Sequence, residues 1–202
     1  MVVNTQNIAL LILAAGSSTR MGKPKQLLPW NGTTLLGNAI NNALASRSKN
    51  VVVVLGSRAE VIRSEILVDG IETVENSNWR LGLGNSIATG IKFLLKKTED
   101  FDGVLIMLAD QPLIDTDYLN LMITLFYDVP QSIVATAYEN RAGVPALFHR
   151  RYFNVLAGLE EDYGAKEIIE HNETEVYKID PTEKSFDIDT QSQYQYLIKK
   201  LK

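Results

Sequence analysis

The residues best suited to chemistry lie between Gly16 and Lys25. Gly16, Ser17, Ser18 and Thr19 offer small side chains and accessible backbone N–H groups, and Arg20, Lys23 and Lys25 add fixed positive charge around a second glycine, Gly22. A phosphate chain asks for that set: bare N–H groups in a loop, with cations beside them. A plain solvated loop is often rich in the same residue types, but this one directly follows an apolar run, 8–13, ended by Ala14, Ala15 and Gly16. Such a run suits a buried parallel strand, and open α/β sheets bind their ligands at the carboxyl ends of strands.

Two familiar phosphate loops are excluded. Five residues separate Gly16 from Gly22, and Pro24 follows Lys23, so both the spacing and the hydroxyl of a Walker A loop are missing. A dinucleotide fingerprint needs three spaced glycines at a helix start, whereas Gly16 stands alone and the pair Gly82 and Gly84 lacks a third. Asp110 follows the apolar run 103–108, in Ala109-Asp110-Gln111-Pro112-Leu113. A divalent ion bridging phosphates takes one or two carboxylates and completes its shell with water and ligand oxygens, so Asp110 is the first choice of metal ligand; a turn or helix cap is its plainer reading. The histidines, His149 and His171, lie near no second candidate ligand in sequence and read as packed or surface residues.

Hydropathy patterning and turn residues give the strands and helices that carry these groups. Thr33 or Thr34 caps a helix running to about 45, after a turn at Trp30-Asn31-Gly32. Residues 51–55 and 71–74 read as strands with a helix over 60–67 between them, and the core face of the next helix carries Leu83, Ile87, Ile91 and Leu94 or Leu95. Gly82 and Ser86 open that helix, where free N–H groups face a ligand; Trp79 is either a pocket or a core residue. Residues 103–108 form a central strand, Asp115 or Thr116 caps a helix to about 126, and 133–137 is a fifth strand. A turn at 140–143 leads into 144–148 as a hairpin or mixed strand, and an amphipathic helix carrying Tyr194, Leu197, Ile198 and Leu201 ends the chain. The alternation predicts an α/β fold: one domain over 1–202, three layers, with a Rossmann-like, mostly parallel sheet.

Composition narrows the function. The 202 residues carry a net charge of −4, which argues against nucleic acid as a partner. Its distribution says more: no acidic residue precedes Glu60, so the glycine loop lies in a positive local field suited to a small polyanion. The absence of cysteine removes thiolate metal sites and cysteine nucleophiles. No secretory signal pattern opens the chain and no apolar run reaches the length of a membrane span, so a cytoplasmic, membrane-free protein is expected.

The string LAAGSSTRMGKPKQLLPW resembles the signature L-A-A-G-x-S-x-R-M-G-x-x-K-x-L-L-P of MobA-like nucleotidyltransferases, and within them the molybdenum cofactor cytidylyltransferases (MocA-like). The likeness runs from Ile8 to the last helix, and A-D-Q-P-L matches a second family motif. It implies the nucleotide-diphospho-sugar transferase fold, with Leu13, Ala14, Ala15, Gly16, Ser17, Ser18, Arg20 and Lys25 around the triphosphate, Gly82 and Ser86 near the nucleotide, and Arg20, Lys25 and Asp110 as catalytic residues. It also implies Mg2+, with Mn2+ as a substitute, on Asp110 and on an acid of Phe186-Asp187-Ile188-Asp189-Thr190, Asp189 first and Asp187 second. Gly143, Val144 and Pro145 match an acceptor-side G-x-P-x-x-F element, with Val144 where many relatives have histidine. Asp162 and Gly164 survive from a G-D-x-G-A-R element, in which Glu161 and Lys166 replace a glycine and the arginine, and the resemblance implies that they too bind the acceptor.

The reaction so implied is transfer of a nucleotidyl group from a nucleoside triphosphate, CTP favoured because Ala15 follows the cytidine form of the motif, to the terminal phosphate of molybdopterin, with release of pyrophosphate. The partners implied are the triphosphate, the phosphorylated pterin and an apo-molybdoenzyme that receives the product. Guanylyl transfer, a sugar-phosphate acceptor, or a non-catalytic module that hands over cofactor are the alternatives.

Overall fold

The computed structural model describes residues 6–18, 21, 24–48, 50–66, 68–139, 141–160 and 164–200. In chain order the elements are β1 Ile8–Ala14, β2 Pro29–Trp30, β3 Thr33–Thr34, α1 Leu35–Ala45, β4 Asn50–Leu55, α2 Ala59–Glu65, β5 Ile71–Glu75, α3 Leu83–Leu94, β6 Gly103–Leu108 and α4 Thr116–Asp128. They continue with β7 Ile133–Tyr138, β8 Arg141–His149, α5 Phe153–Ala157, α6 Lys166–His171, β9 Val176–Ile179 and α7 Gln191–Lys200.

Seven strands form one sheet in the order β5-β4-β1-β6-β8-β7-β9. From β1 the chain moves to β4 and β5 on one side, then returns to place β6 on the other. That reversal makes a crevice at the carboxyl ends of β1 and β6, where neighbouring connections run to opposite sides. The sheet is mostly parallel, as expected, but β8 runs antiparallel to both β6 and β7.

β1 is buried on both faces, and its alternation divides the core. Leu10 and Ile12 join Leu36 and Ile40 of α1, Ile62 of α2, and Leu119 and Met122 of α4. Ala9, Leu11 and Leu13 join Ile87 and Ile91 of α3, Leu156 of α5 and Ile168 of α6. Successive strand side chains point to opposite faces, so one apolar run builds both layers. A smaller cluster of Leu28, Trp30, Leu35, Ile188 and Leu197 fastens α7 against the segment that follows the glycine loop.

Several expectations are met closely. Thr34 caps α1, accepting from the Gly37 N–H at 3.0 Å, and Asn31 and Gly32 take positive φ in the turn between β2 and β3. Leu94 is buried whereas Leu95 is half exposed, which settles the core face of α3. Two expectations change. The turn signal at 140–143 is mostly strand: β8 begins at Arg141, which pairs with Tyr138 and closes a tight hairpin. The edge strand β9 escaped the sequence reading because it has only four residues, of which Tyr177 and Lys178 are exposed; α5 and α6, of five and six residues, are also short.

Asp115, not Thr116, caps α4. Its carboxylate accepts from the Tyr118 N–H at 2.9 Å and pairs with Lys184. Burial disfavours the charged carboxylate, but the Lys184 and Tyr118 hydrogen bonds outweigh it and hold its pKa below the ordinary value. Stability from this group is therefore complete above the ordinary carboxylate pKa and is lost as pH falls through the lower folded value. Asp115→Ala should cost about 1 kcal/mol in urea unfolding at neutral pH. That difference should shrink below about pH 4.

Candidate active site

The loop after β1 is tied down from within. Gln26 is 3% exposed, in the short turn Lys25–Leu27, and its Nε2 donates to the carbonyls of Ala14 at 2.8 Å and Gly16 at 2.9 Å. Its Oε1 accepts from the Ser18 hydroxyl at 3.2 Å, and that hydroxyl accepts from the Lys25 N–H at 3.0 Å. Ser18 adopts φ +53° there. One buried amide thus holds both sides of the loop. Sequence reading passed over Gln26; its signal was a polar residue directly before the apolar pair Leu27 and Leu28. Thr19, Arg20, Gly22 and Lys23 lie outside the described residues, and with them the expected role of Arg20.

The loop is also packed from the β4 side. The Ser57 N–H donates to the Ala15 carbonyl at 3.0 Å. A Cβ on Gly56 would stand 2.7 Å from Trp79 Cβ and 2.8 Å from both Cβ and O of Ala15, so only glycine fits between them. Trp79 is half-buried, with the Arg80 guanidinium 4.4 Å from its ring centroid.

Three distant residues meet at the mouth of the crevice. The Lys25 ammonium pairs with Asp110, with Asp189 Oδ1 at 2.9 Å, and with the Ile188 carbonyl at 3.2 Å. Burial works against its charge, but Asp110 and then Asp189 outweigh burial and raise its pKa. The Ile188 N–H donates to the Asp110 carbonyl at 3.0 Å, which fixes the C-terminal acidic segment to the end of β6. Asp187 turns the other way and accepts from Gln111 Nε2 at 2.7 Å. Burial, reinforced by the neighbouring charge of Asp110, pushes its carboxyl upward.

Two pockets adjoin this cluster. The first, about 370 Å³, is lined by residues 13–17, Lys25, Gly82, Ser86 and Asp110, together with Trp79 and Arg80. Ser18 braces the loop from behind, and the Ser86 hydroxyl accepts from Asn76 Nδ2 at 3.0 Å. The second, about 300 Å³, shares Leu83 and Leu108 with the first and is lined by Gly143 and Val144 together with Gln111, Tyr138, Arg141, Lys166 and Asp187. Pro145 is behind that wall, its carbonyl accepting from the buried Thr136 hydroxyl at 2.7 Å. Gly164, at φ +59°, lies against Leu83, and Asp162 is outside the described residues. Neither histidine lines either pocket.

The donor set suits a hard divalent ion. Asp110 Oδ1 is buried with no hydrogen-bond partner, and the Asp189 side chain is half exposed on the same ammonium. Two carboxylates with room for phosphate oxygens and water are what such an ion takes when it also binds a nucleotide.

Comparison with known proteins bears on the fold and the family. PucB of Bacillus subtilis, a purine catabolism protein, is 29% identical over 198 residues, covering 91% of this chain and 92% of PucB. The crystal structure of Rv0371c from Mycobacterium tuberculosis superposes with a TM-score of 0.79 at 28% identity, covering 96% of this chain and 98% of that one. The same protein has been solved as a manganese complex, with a TM-score of 0.76 at 27% identity and the same coverage. A nucleotidyl transferase from Methanothermobacter shares the fold, with a TM-score of 0.79 at 20% identity over 95% of each chain. Residues 10–176 match the MobA-like NTP transferase domain, and the chain belongs to that family of nucleotidyltransferases.

Proposed function

We propose that the protein transfers a cytidylyl group from CTP to the terminal phosphate of molybdopterin, or of its metal-loaded form, and releases pyrophosphate. The observation that carries this reading is the meeting of Lys25, Asp110 and Asp189 between a glycine-loop pocket and a second pocket bearing Arg141 and Lys166. The first suits a triphosphate, and the second suits a phosphorylated acceptor whose polar ring edge meets Gln111 and Asp187.

The acceptor phosphate is anionic at neutral pH, so its oxygen attacks the α-phosphorus without a general base, and the bond to the pyrophosphate oxygen breaks. Catalysis is then alignment and charge neutralisation. The loop N–H groups and Lys25, with Arg20, hold the triphosphate, while Arg141 and Lys166 orient the acceptor. Asp110 and Asp189 would hold Mg2+, or Mn2+, the ion with which Rv0371c has been solved, and the ion would supply positive charge at the phosphates when bound.

Ala15 supports CTP. It lines the nucleotide pocket beside Gly56, and a methyl at that position leaves less room for a base than glycine would. A one-methyl difference discriminates by about 1–3 kcal/mol, enough to favour the smaller base. Pyrophosphate release from CTP, GTP, ATP and UTP, with Mg2+ and molybdopterin, tests the reading. CTP should dominate. Release only with a sugar phosphate would change the acceptor, and triphosphate binding with no release from any acceptor would favour an accessory module.

A further inference from the structure

Lys25 is seated on the two carboxylates that a metal ion would need. Its ammonium is shared between Asp110 and Asp189, the two carboxylates expected to hold a divalent ion, and it lies only 2.9 Å from Asp189 Oδ1. The Lys25 and Asp110 side chains are 16% and 15% exposed, so solvent screens this pairing poorly. The same lysine follows the glycine loop, its N–H fixed by Ser18, and lines the nucleotide pocket. It can therefore reach two kinds of anion: the carboxylates it now neutralises and a polyphosphate beside the loop.

A divalent ion approaching the carboxylates meets an ammonium already seated on them. Like charges that close repel strongly, and the lysine would also lose its counter-charges if pushed into an empty pocket. A polyphosphate changes that balance by giving the ammonium a new partner. We infer that Lys25 is a resident counter-cation: it keeps the Asp110–Asp189 pair from binding a divalent ion alone, and releases the pair when a polyphosphate draws it away. Metal and nucleotide then bind cooperatively, each raising the affinity for the other by the same factor.

This rests on the proposed function only in taking the pair as the metal site, and its test uses neither nucleotide nor acceptor. Mn2+ titration of the nucleotide-free protein, read from the electron paramagnetic resonance of the free ion, should show weak binding by wild type. Lys25→Met should bind Mn2+ at least about tenfold more tightly, because one positive charge in contact with both carboxylates is gone. Lys25→Arg should stay weak, and adding Asp110→Asn to Lys25→Met should abolish the gain. Lys25→Gln, which keeps a donor for the Ile188 carbonyl, replaces Lys25→Met if that variant does not fold. A folded, charge-free variant that binds Mn2+ no more tightly than wild type overturns the inference, and so does a gain that survives Asp110→Asn. Failure of pyrophosphate release would instead count against the transferase reading and leave this result standing.

Discussion

Asp110→Asn should lower the rate of nucleotidyl transfer by about a thousandfold or more while leaving the protein folded. Removing one group placed at developing charge typically costs 10²- to 10³-fold, and here the same change would also weaken the proposed metal site. Asparagine preserves the size of the side chain, and the Asp110 backbone carbonyl still receives the Ile188 N–H. What disappears is one of two negative charges around Lys25 and a buried oxygen, Oδ1, with no partner of its own. Lys25 keeps Asp189, so the cluster loses charge but not its geometry. Circular dichroism should match wild type, and the rate should recover only in part at high Mg2+. An Asp110→Asn protein with an undiminished Mg2+-dependent rate would remove Asp110 from the metal site.

Gln26→Leu should damage stability and nucleotide binding together. Leucine fills a similar volume but donates nothing, so the carbonyls of Ala14 and Gly16 lose their shared donor and the Ser18 hydroxyl loses its acceptor. A buried polar group left unpaired costs about 1–3 kcal/mol, so the variant should lose about 2–5 kcal/mol in urea unfolding. The KM for CTP should rise more than kcat falls, because the loop that loosens is the one placed to hold the triphosphate. Gln26→Glu should do no better, since a carboxylate cannot donate to either carbonyl. Wild-type stability with an unchanged KM would show that the loop holds its shape without Gln26.

Sequence showed most of what is local. The glycine loop after an apolar strand, the aspartate at the end of the next central strand and the helix caps are all read within a few residues, because the backbone chemistry that fixes them is itself local. The pairing of Lys25 with Asp189 spans 164 positions and that of Gln111 with Asp187 spans 76. Composition and periodicity carry nothing over such distances; the family likeness alone pointed to Asp189 as a partner of Asp110. Arg141 shows why the second pocket was only half legible. In sequence it reads as part of a turn, Asn140-Arg141-Ala142-Gly143, yet the hairpin closes so tightly that it becomes a strand residue whose guanidinium lies 5.6 Å from the Tyr138 ring centroid. Gln26 was missed for a different reason. A lone amide beside leucines looks like a surface residue until its two carbonyl partners are seen.

The proposed reaction moves a nucleotidyl group from its triphosphate to a phosphate on a second molecule. CTP labelled in its α-phosphate, incubated with the protein, Mg2+ and molybdopterin, tests it most directly. The label should appear in the pterin product, one equivalent for each pyrophosphate released, and Asp110→Asn should slow both by about a thousandfold or more. Label that stays in CTP under the same conditions, with the triphosphate demonstrably bound, would contradict it.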